Sequence, residues 1–246
     1  MKLIWFTDLH LGADDANHDR FRRCLDHALA AHGDADRIVI TGDIAQDGTE
    51  ADYAAYRRLM GDCPRPVRLV PGNHDNREAM WCALPDTPRS GGGRISYAEE
   101  LGGYGLIFLD TLWPGSDAGD LGTEQLHWLE GELAEDRPAL IFMHHQPGPV
   151  FLPSADGIGL ADQAEFTGLL ARHGKAVAGI FFGHCHRPIA GSLMGVPMMG
   201  LPAVAPQMRA NFATTDFIPE PEAPPQYGVI LAAGGHIVCH TIEPRA

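Results

Sequence analysis

The chain has 246 residues, 45% hydrophobic and 20% charged, ordinary globular values that exclude a disordered or fibrous chain at a length that can bury one sizeable core. Eighteen basic against thirty-two acidic side chains leave a net charge of −14, a sign that repels nucleic-acid backbones, so bulk nucleic acid is not an expected partner. Apolar runs such as 139–143 and 176–182 fall far short of the roughly 20 residues that span a bilayer, which excludes membrane insertion by a helix, and the five scattered cysteines form no disulfide framework.

Residues 3–6 read as the first strand. They follow Met1-Lys2 directly and give way to polar Thr7-Asp8, too short and too polar a run for a secretory signal; with the unpaired cysteines, this gives the expectation of a reducing, cytoplasmic location. Further β-branched-rich apolar runs at 38–41, 67–70, 106–109, 140–143 and 179–182 read as buried strands. Between them, 20–32, 50–60, 76–84, 123–135 and 163–173 space apolar residues at helical intervals without internal proline. The β-α alternation predicts a largely parallel sheet whose ligands collect at the carboxyl ends of its strands. Beyond Gly183, runs at 189–193, 196–201, 227–232 and 237–242 lack an intervening helix. Residues 187–246 are therefore expected to be mainly antiparallel and to add to a pocket or an oligomer interface. The proline-rich stretch 219–225 can be neither a helix nor a central strand and reads as a stiff loop. Residues 147–159, with Val150, Phe151 and Leu152 among prolines and glycines, form a second irregular segment.

Polar motifs sit where these strands end. Asp8-Leu9-His10 closes the first, Gly42-Asp43 the second and Gly72-Asn73-His74-Asp75 the third; His144-His145-Gln146-Pro147 and Gly183-His184-Cys185-His186 follow two later ones. Five strand ends are thus expected to converge on one rim. Carboxylates and imidazoles two residues apart on one turn can reach the same or adjacent metal ions, and mixed N and O donors suit Zn, Mn, Fe or Co rather than calcium. Glycines directly before Asp43, Asn73 and His184 would let the backbone turn sharply close to an ion, although turn glycines are common without one. His144 and His145 point to opposite faces of a strand, and spacing alone leaves open which is the ligand. Cys185 reads as a small buried residue rather than a soft ligand. His18, His27, His32, His127, His173, His236 and His240 lack clustered partners and read as surface or packing residues.

In this order the motifs resemble the calcineurin-like metallophosphoesterases, whose signature runs Asp-x-His, Gly-Asp, Gly-Asn-His-Asp or Glu, His, then Gly-His-x-His; every element is present between residues 3 and 186. The spacing, with Gly-Asp-Ile-Ala-Gln-Asp at 42–47, is most similar to the bacterial cyclic-nucleotide and glycerophosphodiester phosphodiesterases. The resemblance implies an α/β fold, a four-layer α-β-β-α sandwich of two facing mixed sheets flanked by helices, as a single domain over 1–246. It implies two divalent metal ions (Mn, Fe, Zn or Co), with Asp8, His10 and His186 on one, Asn73, His144 and His184 on the other, and Asp43 bridging. The family pattern favours His144 over His145. His74 is expected beside the substrate as the catalytic acid, with Asp75 and His145 in supporting positions and Asp75 fixing the His74 tautomer.

The implied activity is hydrolysis of a small phosphodiester, either a 3′,5′-cyclic nucleotide or a glycerophosphodiester. In such centres two cations ~3.5–4 Å apart hold the phosphoryl group and lower the pKa of a bridging water towards ~7. Basic residues are scarce around the motifs, Arg77 and Arg187 being nearest in sequence, which suits a singly charged diester. Pocket shape is expected from 14–18, 147–159 and 208–217, and the tail from Leu201 through the proline loop is similar to that of bacterial glycerophosphodiesterases. The alternatives are a catalytically silent metal-binding scaffold for protein partners and a phosphomonoesterase of the same fold. A homo-oligomer is the expectation for assembly.

Overall fold

The first strand is apolar on both faces, a pattern that demands cover on each side. In the computed structural model, which describes residues 1–12 and 15–245, it has that cover. The elements in chain order are β1 (Lys2–Phe6), α1 (Asp15–Ala31), β2 (Arg37–Thr41), α2 (Glu50–Met60), β3 (Val67–Val70), α3 (Arg77–Ala83), β4 (Tyr97–Leu101), β5 (Tyr104–Phe108), α4 (Gly122–Glu132) and β6 (Ala139–Phe142). They continue with α5 (Pro153–Asp156), α6 (Gln163–His173), β7 (Val177–Phe182), β8 (Ile189–Leu193), β9 (Val196–Gly200), β10 (Gln207–Met208), β11 (Pro219–Glu220), β12 (Tyr227–Ala233) and β13 (His236–Ile242).

Two mixed sheets result, ordered β13-β12-β1-β2-β3 and β4-β5-β6-β7-β9-β8. Alternation along each strand assigns its residues to layers. Leu3 and Trp5 of β1 join Leu106 and Phe108 of β5, Phe142 of β6 and Phe181 of β7 in a core between the sheets. Ile4 and Phe6 turn the other way, onto Phe21, Cys24 and Leu25 of α1 and Tyr53 and Tyr56 of α2. On the far side Ile107, Ile141 and Ile180 pack against Leu129 of α4 and Phe166 and Leu169 of α6. Helices, sheet, sheet and helices make the four-layer sandwich. Between the sheets the register places Tyr97 opposite Phe108, Phe108 opposite Phe142 and Phe142 opposite Phe181. Their rings stack at 4.6, 5.3 and 5.1 Å, and Trp5 meets Phe181 edge-on at 5.3 Å, so one row of aromatic cross-strand pairs ties both sheets together.

Local signals set several element boundaries. Thr49 and Asp52 form a reciprocal capping box at the start of α2, and Asn76 caps α3 by accepting from Ala79 N. Residues 106–109 do not simply continue a parallel alternation, as the sequence had suggested. Strand β5 is the second arm of a hairpin with β4, turned at Gly102 and Gly103, whose φ values of 62° and 83° suit the primed turn such a hairpin needs. The tail is mainly but not wholly antiparallel: β12 and β13 extend the first sheet and β8 pairs antiparallel with β9, while β9 runs parallel to β7. The proline stretch contributes a two-residue ladder, β11 on β10. No helix among the described residues is long and apolar enough to cross a membrane.

Candidate metal centre

Strands β1, β2, β3, β6 and β7 end on one rim, and the seven predicted ligands lie there in a continuous chain of close contacts. Asp8 Oδ1 stands 3.4 Å from His186 Nε2, which stands 3.1 Å from His10 Nε2. Asp43 Oδ2 is 3.4 Å from His10 Nε2 and also 3.4 Å from His144 Nε2. Asn73 Oδ1 is 3.1 Å from His144 Nε2 and 3.0 Å from His184 Nδ1. One oxygen of Asp43 thus joins a group of Asp8, His10 and His186 to a group of Asn73, His144 and His184.

The backbone is bent hard to bring these donors together. Asp8, His10, Asp43, His184 and His186 have φ values of 52°, 46°, 49°, 63° and 49°, in the left-handed region that side chains rarely enter and that tends to mark functional sites. Small neighbours make room for the turns. A Cβ on Gly72 would overlap Asp43 Oδ1, and one on Gly183 would overlap Thr7 Oγ1, so the glycines beside the ligands answer to close packing.

Hydrogen bonds behind each imidazole decide which nitrogen faces inward, because a carbonyl oxygen can only accept. His144 Nδ1 donates to Thr41 O at 2.8 Å, His186 Nδ1 to Pro206 O at 2.8 Å, His10 Nδ1 to Gln46 Oε1 at 3.1 Å and His184 Nε2 to Ile158 O at 3.1 Å. In their neutral forms all four rings therefore turn a lone pair inward, and the inner nitrogens of His10 and His186 face each other. Such an arrangement is relieved by a cation, and outer partners of this kind are what orient histidine ligands. The residues present fit divalent metal ions, in two His/Asp groups that could hold a pair.

Electrostatics point the same way. Burial would depress the buried His144, but the Asp43 carboxylate outweighs it and raises the ring to about 9. Burial holds His10 down at about 4 and His184 at about 3, the latter aided by the neighbouring His144. Asp43, although buried, is held well below the usual carboxylate range by His144 and His10. The centre is thus built for charge, and its carboxylates stay ionised beneath the imidazoles.

His145 lies within ligand distance of His144 and His184, but both of its nitrogens are spent elsewhere. Nε2 donates to Asp117 O at 3.1 Å, so Nδ1 accepts from Thr111 Oγ1 at 2.7 Å. This leaves His144 as the ring with a donor atom free for an ion. Asp75 does not touch His74, contrary to the sequence expectation. Its carboxylate receives Ile44 N, Ala45 N, Gly72 N and the Tyr53 hydroxyl at 2.9–3.1 Å, so it fastens the second and third ligand loops together. Burial and the nearby Asp43 raise it to about 6, against the pull of those N–H donors. The group that orients His74 is the main-chain carbonyl of Gln46, 2.8 Å from Nδ1. Adjacent residues point apart, which is why proximity in sequence misassigned this role.

A cleft of about 590 Å³ opens over the centre, lined at its floor by His10, Asp43, Asn73, His74, His184 and His186. Leu152, Ile158, Met208, Phe217 and Pro219 form an apolar wall. The three expected loops all contribute, through Asn17, residues 152–158 and residues 208–217; Asp14 lies outside the described residues. Arg77 does not contribute: it pairs with buried Asp110 at 2.6 Å. Arg187 and Arg209 do line the cleft, so it is less poor in cations than sequence proximity suggested. Cys185 is buried, with Sγ 3.5 Å from Gln146 Oε1, a packing position as expected. Gln46 and the carbonyls of Thr41, Ile158 and Pro206 went unread in the sequence; only the Gly-Asp-Ile-Ala-Gln-Asp run pointed near one of them.

A two-group His/Asp/Asn centre on the rim of a four-layer sandwich defines a metallophosphoesterase-type site. The chain belongs to the calcineurin-like phosphoesterase family, whose model matches residues 1–188. It is 31% identical to a probable cyclic nucleotide phosphodiesterase of Rhodopseudomonas palustris, covering 98% of this chain and 91% of that one. It is 28% identical to the 3′,5′-cyclic adenosine monophosphate phosphodiesterase of Escherichia coli, covering 89% and 82%. Among solved structures, purple acid phosphatase PPD1 from yellow lupin superposes with a TM-score of 0.70 at 14% identity, over 99% of this chain and 51% of that one, a likeness of fold.

Proposed function

We propose that the chain is a metal-dependent phosphodiesterase that hydrolyses small phosphodiesters, with 3′,5′-cyclic nucleotides as its substrates. The observation that carries the reading is Asp43 Oδ2 equidistant, at 3.4 Å, from an imidazole of each donor group. Asp8, His10 and His186 would hold one ion, Asn73, His144 and His184 the other, and Asp43 both. Bound there, two divalent ions supply Lewis acidity to the phosphoryl oxygens and an activated water nucleophile.

The chain's own residues account for the rest. Asp43 suits the shared position because its second oxygen, Oδ1, is already held by His74 N at 3.0 Å, which fixes the carboxylate's orientation. The same bond ties the third loop to the centre, so His74 moves with it. With Nδ1–H committed to Gln46 O, His74 turns Nε2 to the cleft, where its protonated form can donate to the departing alkoxide. The His74 ring meets His10 edge-on at 4.6 Å, which steadies its plane. The apolar wall offers a nucleobase surface to pack against, whereas a glycerol or ethanolamine leaving group would gain little from it. The names of the two bacterial relatives support the same substrate class.

The test is the initial rate of hydrolysis of 3′,5′-cyclic AMP and of glycerophosphoethanolamine by protein loaded with Mn²⁺. Faster cyclic AMP turnover is expected. Faster glycerophosphoethanolamine turnover would move the assignment to phospholipid breakdown, and turnover of neither would remove the phosphodiesterase reading.

A further inference from the structure

His145 is buried beside the centre, and both of its ring nitrogens are bonded to a loop. Residues 111–119 are internally bonded, with Ser116 N donating to Trp113 O, Ala118 N to Ser116 Oγ and Asp120 N to Thr111 O, each at 3.0 Å. The loop is then tied across to the second irregular segment through Gly119 N to Gly159 O at 3.1 Å and Ala161 N to Gly119 O at 2.7 Å. His145 grips it from below at Thr111 and Asp117. Gly119 lies so close that a Cβ there would overlap the His145 ring. That ring lies 4.5 Å from the ring of His184, so the main chain of Asp117 is one imidazole away from a donor of the centre.

Asp117 is exposed and lines the cleft, and among the described residues no hydrogen bond or ion pair reaches its carboxylate. Of the two arginines in the cleft, Arg209 is paired with Glu220 at 3.1 Å, while Arg187 has a main-chain acceptor, Met208 O, and no carboxylate partner among the described residues. The cleft outside the donor groups therefore holds one unneutralised cation and one unneutralised anion. We propose that Asp117 is a specificity-determining residue that disfavours doubly charged phosphomonoesters against singly charged phosphodiesters. The proposal rests on the phosphodiesterase reading above. A carboxylate carried at the cleft by a fixed main chain repels a substrate in proportion to the substrate's charge, and a repulsive element of this kind is a common way to set specificity.

The experiment compares kcat/KM for p-nitrophenyl phosphate and bis-p-nitrophenyl phosphate in Mn²⁺-loaded wild type, Asp117→Asn and Asp117→Ala, above the second ionisation of the monoester. Removing the charge should raise kcat/KM about tenfold for the monoester and about threefold for the diester, since the repulsion scales with substrate charge. The shift in their ratio should shrink at about 0.5 M NaCl, where exposed charges are screened. A ratio equal to wild type in both variants overturns the role of Asp117. A wild type that prefers the monoester overturns the diester reading itself, and the proposal with it.

Discussion

At the scale of single residues, the centre is an exercise in making each donor atom available. Five of its residues adopt φ values near +50° to +60°, and each ring spends its outer N–H on a fixed oxygen. His74→Ala should leave metal content intact and lower turnover by about 10²-fold, as expected for a lost general acid; metal analysis beside steady-state kinetics checks this, and unchanged turnover would remove His74 from the mechanism. Gln46→Ala strips the outer partner from His10 and should weaken one of the two ions by about 10- to 100-fold, with Gln46→Glu restoring it; calorimetric titration with Mn²⁺ measures both. The seven residues that meet at the rim were legible because each sits in a short motif at a strand end. Gln46 as an orienter and Asp75 as a loop fastener were not, since the direction of a side chain out of a bent loop is set by tertiary contacts.

At the scale of elements, the centre depends on a strap whose place could not be read from apolar periodicity. Val204 N and Ala205 N bond to Thr7 O and Asp8 O, at the end of β1, at 3.1 and 3.0 Å. The next residue, Pro206, supplies the carbonyl behind His186. From the other side Arg20 of α1 donates to Val204 O at 2.7 Å, Ala205 O at 3.0 Å and Ala223 O at 2.9 Å. One guanidinium thereby joins the helix, the strap and the proline loop through carbonyls alone. Arg20→Met should cost about 2 kcal/mol through unsatisfied carbonyls and speed hydrogen exchange in 204–208 and 219–223, as mass spectrometry would show; protection equal to wild type would assign the strap's order to other contacts. The strands and most helices were readable from apolar periodicity. The β4 strand was missed because Tyr97 to Leu101 carries two glutamates and is only partly buried, which hides the alternation that its hairpin turn would otherwise have signalled.

At the scale of the whole molecule, the same buried imidazoles that could hold metal make the metal-free protein sensitive to pH. Burial holds His10 and His184 at about 4 and 3, below their ordinary 6.5. Their stability contribution is present above 6.5 and is lost as pH falls towards 4, because the unfolded chain then binds more protons. His144, raised to about 9, acts oppositely: its contribution is present below 6.5 and is lost as pH rises through 9. Asp75, raised from 3.8 to about 6, offsets part of the acid loss, but two rings outweigh one carboxylate. Melting temperature of the metal-free protein should therefore peak near neutrality and fall on both sides. Mn²⁺ should abolish the alkaline fall, since bound ions hold the rings deprotonated. A flat profile without metal would mean that these groups are not buried as described.

Two ions on seven residues are proposed to make this fold a phosphodiesterase. The most direct test of this is the rate of cyclic AMP hydrolysis by metal-stripped protein as Mn²⁺ is added in measured equivalents. Negligible rate without metal and a plateau at two ions per chain are expected. A plateau at one ion, or full activity in the stripped protein, would contradict the proposal.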